Sequence, residues 1–334
     1  MTAVAKMHFL KRAFGSGMAL VCGLSSGLAA SASGADGYPS KPIRLIVPFS
    51  PGGGSDAIAR LAAPKLTEAL GQQVIVDNRP GGNTVIGVRL VGTAKPDGHT
   101  LLLANANFTI NAALYEKLPY DPIKDFVAVA PLANVANVLV VHSAVPAKSV
   151  KELIALVKAK PGQLNFASPG AGTSSHMAGV LLQSLAHLDF VMVPYKGAGP
   201  AMTDLIGGQV TMAVAAMSSV APHLKSGRLR ALGVTTDRRS VLMPELPTIA
   251  ESGIPGYEVS NWFGILAATG TPRAILSRLE AEVSKLVKDA DFQKTMTAQG
   301  TEPFVLTRSE FERFIVNEVS KWTRLGKDFN LRVE

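Results

Sequence analysis

The sequence predicts an α/β protein built on largely parallel sheets, and three observations predict it. Short runs rich in β-branched residues alternate with segments of helical periodicity through most of the 334 residues. Two of those runs end in glycine-rich breaks that lead straight into helical pattern, Val47-Pro48-Phe49-Ser50-Pro51-Gly52-Gly53-Gly54-Ser55-Asp56 and Ala167-Ser168-Pro169-Gly170-Ala171-Gly172-Thr173-Ser174-Ser175-His176. Two boxes of the Ser/Thr-x-x-Glu type, Ser149-Val150-Lys151-Glu152 and Thr307-Arg308-Ser309-Glu310, mark further helix starts. With 47% hydrophobic and 17% charged residues, the composition is that of a folded chain.

Taken in order, Ile43 to Val47 is the first strand, and a helix follows the glycines from about Asp56 to Leu70, with Gly71 as its stop. Gln73 to Asp77 is the next strand. Pro80-Gly81-Gly82 turns the chain into a short helix from Val85 to Gly92, and the strand Thr100 to Ala104 leads into a loop, Asn105 to Thr109. After the Ser149 box, Val150, Leu153, Ile154 and Val157 share one helical face, which Pro161-Gly162 ends. The strand Leu164 to Ala167 enters the second break, the helix Ser174 to Ala186 leaves it, and Phe190 to Val193 is another strand. Tyr195-Lys196-Gly197-Ala198-Gly199-Pro200 is a loop into the helix of Met202, Leu205 and Ile206. Strands follow at Val210 to Ala215, Arg230 to Thr235 and Val259 to Ala268. The C-terminal part is helical, with Pro272 suited to a first turn.

The first 35 residues read as a secretory signal. Lys6, Lys11 and Arg12 precede an apolar run from Ala13 to Ala30, and small residues follow at Ala30-Ser31-Ala32 and Ser33-Gly34-Ala35. Cys22, the one cysteine, lies inside that run, so the expected mature chain has no thiol for disulfides, catalysis or metal binding. Removal of the three basic residues takes the net charge from +8 to +5. A surface of that sign suits anionic small molecules. No Lys/Arg run or basic-aromatic interleaving suggests nucleic acid.

A strand that ends in glycines and feeds a helix places unpaired N–H groups and the positive end of a helix dipole at one sheet edge. Anions bind at such ends. Nucleotide-binding patterns fail on spacing: no Lys-Ser or Lys-Thr follows either break, and the third glycine of a dinucleotide fingerprint is replaced by Ser175 and Met202. Each break alone reads equally well as a tight turn without a ligand. Two together suggest a cleft between two halves. Ser55 and Ser174 are conceivable nucleophiles, but neither sits in Gly-x-Ser-x-Gly, and both suit helix starts. Asp56 has an ordinary role as a first-turn carboxylate favouring the helix dipole, and His176, also in a first turn, reads as a packed neutral imidazole. No His/carboxylate spacing suggests a metal.

The set formed by the first break, Asn78-Arg79-Pro80-Gly81-Gly82, Ser168 to His176, Pro194-Tyr195-Lys196-Gly197 and Pro247-Thr248-Ile249-Ala250-Glu251-Ser252-Gly253 resembles the Bug/TctC family. These are periplasmic solute-binding proteins of tripartite tricarboxylate transporters. The resemblance runs from about Tyr38 to the end. It implies a two-lobed, type II-like Venus flytrap in which each lobe is a mostly parallel sheet flanked by helices and two crossing strands join them. The implied division is a signal at 1–35, lobe 1 at 36–137 and 258–334, and lobe 2 at 138–257.

The resemblance further implies that a small mono-, di- or tricarboxylate is held largely by backbone N–H groups. Carried onto this sequence, the first loop contributes Phe49, Ser50, Pro51, Gly52, Gly53, Gly54, Ser55 and Asp56. The second contributes Ser168, Pro169, Gly170, Ala171, Gly172, Thr173 and Ser174, with His176. Ala104, Asn105, Ala106, Asn107 and Phe108, with Tyr195, Lys196 and Gly197, would complete the cleft; Trp262 is a looser candidate that core packing explains better. Ser55 stands where the family often has threonine, Met177 where leucine is common, and Thr211 where an acidic residue is frequent; none removes a backbone donor. Phe49, Phe108 and Tyr195 hint at an aromatic acid. No cofactor or metal is implied. The implied partners are the carboxylate and the membrane permease subunits, with the protein a periplasmic monomer. Two other functions stay open: a ligand-binding partner of a sensor, and a secreted serine-dependent hydrolase using Ser55 or Ser174 with His176, for which no orienting third group is evident.

Overall fold

The computed structural model describes residues 37–331, so the expected signal segment with Cys22 lies outside the described residues. The chain alternates strands and helices into two sheets. Residues up to β4 run β1 (Ile43–Val47), α1 (Gly54–Leu70), β2 (Val74–Asn78), α2 (Val85–Gly92), β3 (Thr100–Asn105), α3 (Ala106–Leu114) and β4 (Phe126–Val135). The middle part runs β5 (Asn137–His142), α4 (Val150–Ala159), β6 (Asn165–Ser168), α5 (Ser174–Ala186), β7 (Val191–Pro194), α6 (Ala198–Ile206), β8 (Met212–Ala216), α7 (Met217–Lys225) and β9 (Leu229–Val234). The chain closes with β10 (Asn261–Ala268), α8 (Arg273–Lys288), α9 (Ala290–Ala298), β11 (Glu302–Pro303) and α10 (Arg308–Asp328).

One sheet has the order β11-β4-β10-β3-β1-β2 and the other β7-β6-β8-β5-β9, each flanked by helices, which makes the molecule two-lobed. The pairing is mixed. The strand-helix-strand units give parallel pairs, β1 with β2 and β3, and β6 with β7 and β8, since each connection crosses over through a helix. The strands that pass between the lobes insert antiparallel: β10 lies between β3 and β4, and β5 between β8 and β9. The expectation of mostly parallel sheets counted the crossovers but not these insertions.

A single residue, Ala136, separates β4 in the first sheet from β5 in the second. The return path runs through Val259 and Ser260 into β10. The two passages are tied to each other and to the second sheet. Thr235 N donates to Asn137 O (3.0 Å), Val259 N donates to Thr235 O (2.8 Å), and Ser260 Oγ donates to Asn134 Oδ1 (2.9 Å). From Leu139 through Tyr257 and Val259 to Trp262 one apolar cluster continues across the passage. Trp262 is fully buried and packs edge-on against Phe311 and Phe314 of α10, so it belongs to the core.

Helix ends follow the sequence signals. Gly71 ends α1 in the left-handed conformation, and Thr307 and Glu310 form the expected capping box of α10. At α4, Ser149 caps Glu152 N as expected, while the Glu152 carboxylate reaches back to Lys148 N. Two helices depart from expectation. Asn105 to Thr109 is no loop: Asn105 caps α3 by accepting from Asn107 N (3.2 Å), so the strand passes directly into a helix. α7 is a helix that carries Pro222 in its interior and has no start signal in the sequence.

Candidate functional site

The first glycine break is a braced loop ahead of an open helix end. Gly53 is the N-cap of α1, with extended backbone (φ −87°) and no side-chain cap, and the first bond into the helix is Ala57 N to Gly53 O (2.9 Å). The amides of Gly54 and Ser55 therefore make no hydrogen bond among the described residues and sit at the positive dipole end. Ser50, Pro51, Gly52, Gly53 and Gly54 are exposed, Phe49 is half-buried, and Ser55 and Asp56 are buried.

Asp56 serves the loop. Its Oδ2 accepts from Arg60 Nε (2.9 Å) and from Gly52 N (2.9 Å), and the Arg60 hydrogen bond, with that of the Gly52 amide, holds its pKa down to about 2. Gly52, at φ +86°, presents its N–H inward to this carboxylate and is unavailable to a ligand. Asn78 Nδ2 donates to Phe49 O (3.0 Å) and fixes the other side of the loop.

The second break is braced differently. Thr173 Oγ1 accepts from His176 N (3.2 Å), and its hydroxyl donates to Gly170 O (2.9 Å). His176 Nδ1 accepts from Gly172 N (3.3 Å), and burial of the ring pushes its pKa down, so the imidazole is neutral and acts as a backbone brace. Ser168 and Pro169 are tied through their carbonyls to Tyr195 N (2.8 Å) and Gly197 N (3.0 Å). The Tyr195 hydroxyl donates to Asp204 (2.7 Å), and Lys196 is exposed. Of the second loop and its partner, the amides of Gly172 and Gly197 are thus spent on scaffold. Those of Ala171, Ser174 and Ser175 make no hydrogen bond among the described residues.

The segment Ala104 to Phe108 divides. Ala104, Asn105 and Ala106 are buried at the β3 to α3 junction, and Phe108 is enclosed by Tyr120 (stacked, 5.8 Å) and Phe126 (edge-on, 5.1 Å). Asn107 alone reaches the other lobe. Its Nδ2 donates to Asn83 Oδ1 (3.1 Å) and to Gly172 O (3.4 Å).

A cavity of about 340 Å³ opens beside the second loop. Of the residues in the sequence reading, Pro169 and Ser174 line it, beside Ser175, which that reading omits. Residues that reading missed supply the rest. Asn137 and Asn261, the first residues of β5 and β10, line the cavity where the chain passes between the sheets. Ala198, Gly199 and Met202 of α6, with the end of β8 and Ser219 of α7, form the walls. β8 turns into α7 at Ala216 with no glycine between, so the glycine signal could not mark this third strand-to-helix edge. None of Phe49 to Asp56 lines the cavity.

The family model described as tripartite tricarboxylate transporter family receptor matches residues 58–331. The chain belongs to this receptor family. Protein BugT of Bordetella pertussis is 36% identical over 312 residues, which are 93% of this chain and 95% of that protein. Among solved structures, R. palustris Rpa4515 with adipate has a TM-score of 0.73 and 32% identity, covering 89% of this chain and all of that one. MatC from Rhodopseudomonas palustris with bound malate has a TM-score of 0.70 and 31% identity, covering 86% of this chain and all of that one. Family and fold are those of solute-binding proteins. Among the described residues His176 has no serine hydrogen-bond partner: its Nδ1 is engaged by Gly172 N, while Ser174 Oγ accepts from Asn137 Nδ2 (3.4 Å).

Proposed function

We propose that this receptor captures a small carboxylate between its lobes in the periplasm and delivers it to the membrane permease subunits of a tripartite tricarboxylate-type transporter. The observation that carries the reading is the cavity of about 340 Å³ where α5, α6 and α7 all begin, in a chain of this family. Its size is at the small end of ligand sites, which span roughly 300–1,000 Å³. The relatives solved with adipate and malate support a carboxylate as the cargo.

In this reading lobe 1 is 36–137 with 258–334, and lobe 2 is 138–257. The amides of Gly53, Gly54 and Ser55 grip the ligand from lobe 1, and those of Ala171, Ser174 and Ser175 from lobe 2. Charge-assisted hydrogen bonds contribute about 1.5–3 kcal/mol each. Four of them supply about 6–12 kcal/mol, a range that brackets the roughly 8 kcal/mol of a micromolar complex. Closure about Ala136 and Val259–Ser260 buries the ligand and presents the monomer's closed surface to the permease.

Titration calorimetry of the purified protein against mono-, di- and tricarboxylates tests the proposal. Gly53→Val is a clean probe, because its φ of −87° suits any residue and an added Cβ would meet nothing closer than Ser50 O at 3.8 Å. The expected result is binding that Gly53→Val weakens at least tenfold with an unchanged melting temperature. No heat with any carboxylate would remove the receptor role.

A further inference from the structure

The cavity beside α5 is lined without a single ionisable side chain. Its fifteen residues comprise two asparagines, three serines, glycine, proline, methionine, valine and six alanines. That composition restricts the ligand by charge. An anion placed there is met by three helix starts: Ser174 and Ser175 open α5, Ala198 and Gly199 open α6, and Ala216 caps α7. α6 and α7 have no side-chain cap; the Met217 amide of α7 donates to Ala136 O (3.0 Å), while the Ala198 and Gly199 amides of α6 make no hydrogen bond among the described residues, and both helices point the positive ends of their dipoles at the cavity. A cation placed there meets the same three positive ends and finds no carboxylate. Burying an ammonium without a paired charge is heavily unfavourable.

The asparagines point to what replaces the ammonium. Asn137 is 2% exposed, and its Nδ2 donates to Ser174 Oγ, while its Oδ1 accepts nothing among the described residues. The Asn261 side chain, at the head of the other crossing strand, makes no hydrogen bond among the described residues. Two amide oxygens of cavity-lining residues are acceptors without donors among the described residues. Neutral hydroxyl groups satisfy them at no charge cost. Ala198, Ala201 and Met202 also line the cavity and supply apolar surface suited to methylene groups.

We infer that this receptor is selective for hydroxy carboxylates over the amino acids of the same carbon skeleton, with Asn137 and Asn261 as the residues that set the selectivity. The inference rests on the receptor reading above and narrows its ligand class. An amide discriminates here because a hydroxyl is a neutral donor, whereas an ammonium brings a charge that the lining does not balance. By the same logic Asn261→Asp supplies the missing negative charge next to the passage. Its side chain has no bond to lose, so the fold is spared.

The test is calorimetry of the full purified protein with malate, aspartate, succinate and adipate as probes, on the unaltered protein and on Asn261→Asp. Malate is expected to bind at least tenfold more tightly than aspartate. Asn261→Asp is expected to shrink that ratio at least fivefold through gained aspartate affinity, with the melting temperature retained. Aspartate binding as tightly as malate in the unaltered protein overturns the inference, as does binding of succinate or adipate with no binding of malate. An unmoved ratio in folded Asn261→Asp overturns the role of that residue in selectivity. In all of these cases the receptor reading survives. No binding of any probe, extended to the wider carboxylate panel, overturns the receptor reading and the inference with it.

Discussion

Asn107, just after β3 of the first sheet, donates from Nδ2 to the carbonyl oxygen of Gly172, just after β6 of the second, at 3.4 Å. The contact joins α3 to the braced second loop, and Asn83, which accepts from the same Nδ2 and donates to Asn111 Oδ1 (2.8 Å), anchors it in the first lobe. It is a direct polar tie between the lobes, and closure is where such a tie acts. Asn107→Ala removes the donor without disturbing the cap, since Asn105 accepts from the backbone N–H of residue 107. Ligand dissociation measured by stopped-flow should accelerate about three- to tenfold, in keeping with a net hydrogen-bond contribution of ~1 kcal/mol. An unchanged off-rate would mean that the tie does not hold the closed form.

Gly172→Val should act more severely, and through sterics. Gly172 has φ +75°, and a Cβ there would collide with Leu114 Cδ1 of α3 and come within 3.3 Å of Asn83 Nδ2. Backbone strain of this kind costs roughly 1–3 kcal/mol. The clash adds a force that drives the lobes apart. Small-angle scattering of the variant should show an enlarged radius of gyration, and Leu114→Ala in the same chain should restore part of the compaction. If Gly172→Val scatters like the unaltered protein, the second loop does not bear on closure.

How far these relationships were legible in the sequence depends on what each residue does. Gly53 and the α1 start could be read, because a glycine run between a strand and a helix has few other uses. Gly52 could not be separated from its neighbours: only the structure shows its amide turned into the Asp56 carboxylate. Asn105 and Asn107 look alike in sequence, yet one caps a helix and the other reaches across to Gly172, since helical geometry turns side chains two apart toward different sides. Asn137 and Asn261 carry no local signal. They meet at one cavity only because two distant strands cross between the sheets. Phe108 illustrates the opposite error, since an aromatic near a ligand loop is read as a wall of the cleft when its ring is already enclosed.

Phe108 therefore makes a separating test. Its ring is 1% exposed and packs with Tyr120 and Phe126, so Phe108→Ala should lower stability by about 3–5 kcal/mol. The affinity of the molecules that remain folded should stay unchanged at a temperature well below the transition. Denaturant titration reads the first quantity and calorimetry the second. Lost affinity at full folding would return the ring to the site.

Asp56 should make the protein acid-sensitive in a defined window. Its folded pKa, held to about 2 by Arg60 and the Gly52 amide, lies below the ordinary aspartate value of about 3.9. A depressed carboxylate contributes stability that is fully present above the unfolded value and is lost as pH falls through the folded one. Asp56→Asn should accordingly flatten the dependence of the denaturation midpoint on pH between about 4 and 2, and lower the midpoint at neutral pH. A variant that keeps the original slope would assign that acid sensitivity to other carboxylates.

His176 should contribute a second window at higher pH, with the same sign for a different reason. Burial lowers the folded pKa of the imidazole beneath its ordinary value of about 6.5, so over the interval between them the unfolded chain binds the extra proton. Stability then falls as pH drops below about 6.5 and levels off once the folded ring is itself protonated. Protonation places a hydrogen on Nδ1, which can no longer accept from Gly172 N, so the second loop loses its brace at the point where Asn107 grips it. His176→Phe keeps a ring of similar size and removes the titration. Relative to the unaltered protein, its stability should show a shallower dependence on pH just below 6.5. Equal slopes in the two proteins would show that His176 is already charged, or already released, in the folded state. Ligand affinity followed over the same range should fall with acid in the unaltered protein and hold level in His176→Phe, because the cavity itself has no titrating side chain.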